Sequence, residues 1–125
     1  MKKLYIFIAV AALFLASCTK RDLLPADIDV NEWMRTRDRG IVAFVDYYTG
    51  NYIVEAYQGY TVIESWSGLT PREYDDEYAF FGGRGVQTIY NYQGNYFSQG
   101  RIVDSWLTWS QARYLLDELG YNGGY

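Results

Sequence analysis

From Gly40 to Leu107 the chain is a succession of short segments rich in Val, Ile, Tyr, Phe and Trp, separated by turns that contain Gly or Asn. That punctuation constrains the fold more than any other feature. β-Branched and aromatic side chains suit a pleated surface, and strands joined by connections this tight can pair only with antiparallel neighbours. Residues 41–48 turn at Thr49-Gly50-Asn51, residues 52–58 turn at Gly59, and residues 60–66 follow, which predicts a three-stranded meander. Residues 86–92, a Gln93-Gly94-Asn95 turn and residues 96–107, with a bend at Gly100, supply two more strands.

Two segments carry helix signals instead. After the third strand, Thr70 can cap, Pro71 fits the first helical position, Glu73 completes a capping box and Leu69 can staple onto Tyr74, so a short helix is predicted there. It would end before Gly82-Gly83-Arg84-Gly85, a glycine run that precedes a strand and lacks the Lys and Ser or Thr of a phosphate loop; it reads as a flexible connection. Near the C-terminus, Thr108 and Gln111 form a second capping box, and Ala112, Leu115, Leu116 and Leu119 recur at helical spacing before Gly120. The fold class predicted is therefore mainly β: a small antiparallel five-stranded barrel or curled sheet, OB-like or SH3-like, with a short helix after strand 3 and a C-terminal amphipathic helix.

Ahead of Gly40 the chain has a different character. Lys2 and Lys3 precede a charge-free apolar stretch over residues 4–16, and Leu15-Ala16-Ser17-Cys18 closes it. As a helix that stretch spans about 20 Å, short of the roughly 30 Å needed to cross a bilayer core. These residues resemble the signal peptide and lipobox of bacterial lipoproteins. The resemblance covers residues 1–19 and concerns location alone. It implies that residues 1–17 are removed, that Cys18 becomes the first mature residue and carries a thioether-linked lipid, and that no thiol remains exposed. Where sorting depends on the residue after the cysteine, Asp marks retention at the inner membrane; Thr19 in that place implies the outer membrane. Residues 18–39 then read as the acylated cysteine and a tether whose second half can dock, with Lys20, Arg21, Arg35, Arg37 and Arg39 balanced by Asp22, Asp27, Asp29, Glu32 and Asp38. Residues 40–120 form the domain and 121–125 a flexible tail.

Composition narrows the function. With 14 Tyr, 6 Phe and 4 Trp in 125 residues the chain has the large apolar side chains a small core needs, which excludes a disordered polymer. Removal of Lys2 and Lys3 leaves 9 basic against 15 acidic residues, and from Gly40 onward only Arg72, Arg84, Arg101 and Arg113 face ten carboxylates. Phosphate backbones demand clustered cations, so nucleic acid is not an expected partner. The chain has 0 His, which excludes His-assisted catalysis and His metal sites, and its 1 Cys is the one the lipoprotein resemblance implies is occupied by lipid, which would exclude thiol catalysis and thiolate ligands; no cofactor is implied.

Carboxylates remain. Asp46, Glu55, Glu64 and Asp104 each fall in an apolar strand, where a facing pair could hydrolyse a glycan, but strand alternation more simply puts each on the solvent side. Glu73, Asp75, Asp76 and Glu77 could bind Ca²⁺ but match no EF-hand spacing, and favourable contact with a helix N-terminus accounts for them. The tyrosines are the stronger signal. Neighbours such as Tyr47 and Tyr48, or Tyr96 and Phe97, cannot both enter one core, so some rings must lie outside. The expected function is a membrane-anchored, non-enzymatic binding or assembly module of the envelope, meeting an envelope protein or glycan through Tyr48, Tyr52, Tyr57, Trp66, Tyr90 and Tyr92. The alternative is a structural subunit joined by strand-edge pairing.

Overall fold

The computed structural model describes residues 28–123. Its elements are α1 (Val30–Thr36), β1 (Asp38–Val45), β2 (Tyr52–Ala56), β3 (Gly59–Ser65), β4 (Asp76–Ala79), β5 (Gly85–Asn91), β6 (Tyr96–Leu107) and α2 (Trp109–Gly123). The strands close into a barrel in the order β1-β2-β3-β6-β5-β4, with β4 returning to β1. It consists of two antiparallel meanders, β1-β2-β3 and β4-β5-β6, joined where β3 pairs with β6 and β1 with β4. The mainly-β antiparallel barrel is as read from the sequence. The number of strands is six rather than five, which departs from the five-stranded OB arrangement.

The extra strand lies where a helix was expected. No helix follows β3. Instead Tyr74 adopts φ 75°, its amide donates to Val42 O at 2.8 Å, and Val42 N donates to Asp75 O at 2.9 Å, so β1 has taken the backbone groups that a helix would pair internally. The local capping signals at Thr70 and Glu73 lose because β1 and β5 would otherwise each expose an unpaired edge. The alternation of β4 also suits a strand: Glu77 and Ala79 are buried, while Asp76 and Tyr78 are only half-buried.

Two cores result. The barrel interior is filled by Val42, Val45, Tyr52, Val54, Ile63, Ala79, Phe81, Ile89 and Ile102. A second cluster, Ile53 and Val62 with Ala112 and Leu116, forms where α2 packs on the outer face of the first meander. Both faces of β2 are therefore buried, which is why Tyr52, Ile53 and Val54 are apolar in succession rather than alternating. At the start of α2, Thr108 N donates to Gln111 Oε1 and Gln111 N to Thr108 Oγ1, a reciprocal capping pair. The helix runs through Gly120 to Gly123, since Gly120 does not take the left-handed conformation that would end it.

Residues 28–39, assigned above to the tether, are folded. Asp29 caps α1 by accepting from Asn31 N and Glu32 N. The Trp33 indole then donates to Tyr78 O at 2.9 Å and meets the Phe97 ring edge-on at 5.1 Å, while the Arg37 guanidinium lies 3.7 Å above the Trp33 ring. This covers the outer face of the second meander, and β1 begins directly afterwards. The glycine run is not slack either, because the Gln87 side chain bonds Phe80 N, Phe80 O and Gly83 O across the β4–β5 loop.

The seam between β1 and β4 depends on Gly40, opposite Glu77. A Cβ there would lie 2.2 Å from Val54 Cγ1 and 2.9 Å from the Phe81 ring. Gly40→Ala is expected to lower stability by about 1–3 kcal/mol, the usual range for overpacking. Val54→Ala in the same chain should recover part of that loss, and urea denaturation of the single and double variants measures both effects.

Candidate functional site

With both faces of much of the sheet covered, a place on a strand does not by itself expose an aromatic residue. Tyr52 points into the barrel and is 2% exposed; Tyr90 lies beneath Phe97 on the outer face and is 3% exposed, its hydroxyl donating to Asn95 Oδ1. These two cannot offer a ring to a partner and leave the candidate set. Tyr48, Tyr57, Trp66 and Tyr92 remain, all exposed and all outside the paired strands.

The topology divides them. The β1–β2, β3–β4 and β5–β6 loops emerge at one rim of the barrel and carry Tyr48, Trp66 and Tyr92, along with exposed Tyr47 and Tyr74, which sequence reasoning did not select. The β2–β3 turn and β4–β5 loop emerge at the other rim, with Tyr57.

At the first rim the loop backbones are satisfied internally, which turns the rings outward. Gly50 N donates to Asp46 O, Tyr48 N to Asp46 Oδ1, and Asn51 N to Thr49 Oγ1; Asn51 Oδ1 then accepts from Ser65 N and ties the loop to the end of β3. Tyr48 and Trp66 flank a groove of about 290 Å³ floored by Asn51, Glu64 and Ser65. Glu64 accepts from Arg101 Nε at 3.0 Å and from the Trp66 indole at 2.8 Å; these bonds, Arg101 first, hold its carboxyl below the usual range. The groove therefore has two ring walls and a fixed, ionised floor.

The other strand carboxylates do not converge there. Asp46 caps its turn, Glu55 is exposed on β2, and Asp104 pairs with Arg84 at 2.8 Å, so no described cleft brings two of the four together. Nor do the acids at 73–77 flank a helix. Asp76 faces outward to Arg39 and Gln93, whereas Glu77 faces inward, and among the described residues no three acidic, Cys or His side chains share a metal-sized site.

Glu77 is the residue sequence reasoning missed. It is 0% exposed; one oxygen accepts from Tyr52 Oη at 2.7 Å and the other from Asn91 Nδ2 at 3.1 Å, and Asn91 Nδ2 also reaches Asp75 at 2.9 Å. Burial raises its pKa from 4.5 to about 7, against the opposing effect of those two donors. Tyr96 lies close by, its hydroxyl buried without a partner and its pKa raised by burial. A cleft of about 410 Å³ opens above, between Arg72, Asp75, Gln93 and Tyr96. Because both Glu77 oxygens are engaged inside the barrel, the group links strands and has no free oxygen for a substrate in that cleft. One signal was available: Glu77 and Ala79 alternate with Asp76 and Tyr78 at the period of a strand.

The opposite rim holds a second missed residue, this one with no sequence signal. Trp106 in β6 has φ 57°, a left-handed backbone that costs a bulky side chain about 1–2 kcal/mol. Its ring is nonetheless exposed and borders a cleft with Tyr57.

Compared with protein-family models, with curated proteins and with solved structures, the chain matches none.

The state of Glu77 should appear in stability. Its pKa is raised on folding, so between pH 4.5 and 7 the native protein keeps a proton that the unfolded chain has lost. Stability is complete below the ordinary carboxylate range and falls as pH rises through 7, by on the order of 3 kcal/mol. Glu77→Gln, which cannot ionise, should lose one of the two donor contacts yet give a urea midpoint that is nearly flat from pH 5 to 8. An equally sloping midpoint in this variant would remove Glu77 as the source.

Proposed function

We propose that this protein is a lipid-anchored envelope protein, acylated on Cys18 and held at the outer membrane, whose barrel is a non-enzymatic binding module. The rim carrying Tyr48, Trp66 and Tyr92 would meet an envelope protein or a glycan. One observation carries the reading: these rings are held out by loops whose backbones are already satisfied, while the barrel interior and both covered outer faces are filled by other residues. Rings that the fold does not use, grouped on one rim and flanking a groove with polar floor groups, have the composition of a recognition surface.

The anchor rests on the resemblance of residues 1–19 to lipoprotein signals, and those residues lie outside the described ones. Nine residues lie between Cys18 and Ile28, at most about 35 Å of extended chain from one to the other, so the barrel would work close to the bilayer surface. Edge pairing is not favoured. Among the described residues each of the six strands has a paired neighbour on both sides.

Two measurements test this. Cells given labelled palmitate should label the protein, and Cys18→Ser should abolish the label and move the protein from the membrane to the soluble fraction; persistence of both would remove the anchor. The full chain, solubilised in detergent, should retain members of a glycan array or of a detergent extract of envelope proteins. Tyr48→Ala with Trp66→Ala should weaken that retention by tenfold or more at unchanged circular dichroism. Retention that survives both substitutions would place the interface elsewhere.

A further inference from the structure

The rim opposite the Tyr48–Trp66 groove holds a ring that packing does not explain. Tyr60 pairs with Leu107 and Val62 with Asp104, so β6 contains one residue more than β3 across this stretch. Such a bulge at a barrel rim redirects a side chain, and its left-handed position is ordinarily glycine. Here it is Trp106, at φ 57° and 65% exposed, so burial of the ring does not offset the strain. What the bulge achieves is aim. The indole rests over Gly82, where a Cβ would be 3.2 Å from the ring, and this fixes the indole against the β4–β5 loop.

Across from it stands Tyr57, 92% exposed on the β2–β3 turn. Between the two rings is a cleft of about 150 Å³, floored by Phe81 and Thr61 and edged by Asp38 and Gln58. The floor is set: the Thr61 and Ser105 hydroxyls both donate to Phe81 O. Asp38 has no ion-pair partner among the described residues. A volume near 150 Å³ accepts one six-membered ring.

The chemistry of the walls selects the ring. Aromatic faces suit an apolar C–H face, while a carboxylate and a primary amide at the edge can each hold two hydroxyl groups. Arg84 is taken up by Asp104 and Arg37 lies over the Phe80 ring, so among the described residues Asp38 is the one charged group lining the cleft and no cation there meets an anionic ligand. We propose that this cleft binds one sugar ring of a neutral saccharide, stacked on Trp106 and Tyr57 with its hydroxyls on Asp38 and Gln58. The site is separate from the Tyr48–Trp66 rim and stands or falls apart from it.

The experiment uses the full chain in a sugar-free detergent, screened on an array of neutral glycans and titrated with maltotriose, cellotriose and chitotriose by tryptophan fluorescence and calorimetry. At least one neutral glycan should bind. Trp106→Gly should weaken that binding tenfold or more while leaving the melting temperature unchanged or higher, because glycine relieves the strained backbone. Tyr57→Ala, on an exposed turn, and Asp38→Asn should each weaken it several-fold, whereas Tyr48→Ala with Trp66→Ala should not. The proposal is overturned if no neutral glycan binds, if tetramethylammonium binds in preference to sugars, or if Trp106→Gly binds as tightly as the parent. It is equally overturned if that variant loses stability and Tyr57→Ala binds normally, since Trp106 would then be structural.

Discussion

The barrel closes through a strand of four residues, and the interaction that makes so short a strand sufficient is the one at its centre. β4 pairs with β1 on one side and β5 on the other. From between them Glu77 reaches Tyr52 on β2, across the interior, and Asn91 on β5. A carboxyl group removed from water this completely is tolerable only when its oxygens are occupied. Asn91 in turn accepts from Gly94 N and donates to Asp75, so the same network shapes the β5–β6 turn and the approach to β4. One buried acid thereby couples closure of the barrel to the loops of its first rim.

Closure has a second consequence, for the aromatic residues. A flat sheet of this sequence would expose many rings; a barrel with α2 on one flank and α1 on the other has three places to hide them. Tyr52 enters the interior, Tyr60 packs against Trp109 of α2 at 5.1 Å, and Tyr90 lies under Phe97 beside Trp33. Among the described residues most of the rings left outside sit at the two rims, where loops and one bulge place them, and exposed Trp109 and Tyr114 lie on α2. Exposure on this protein thus separates rings that stabilise the fold from rings available for contact, a distinction that ring count alone does not make.

What could be read from the residues was local. The turns at Thr49-Gly50-Asn51, Gly59 and Gln93-Gly94-Asn95 announce themselves through glycine and asparagine, and short connections oblige antiparallel pairing, so the mainly-β antiparallel barrel followed. The same local logic misled at residues 70–74, where capping residues were present but β1 claimed the backbone groups. It misled again at Tyr52 and Tyr90, because alternation tells which side of a strand a ring takes and not whether that side will be covered.

By itself, then, the sequence determined the antiparallel pairing, the exclusion of histidine chemistry, and an N-terminal pattern resembling a lipoprotein signal, because each depends on residue identity or on neighbours along the chain. Only the tertiary structure decided the sixth strand, the burial of Glu77 with its raised pKa, the sorting of the tyrosines and the left-handed backbone of Trp106. Each of these is set by partners far away in sequence, such as Glu77 with Tyr52 or Trp106 with Gly82, which meet only after the barrel has closed.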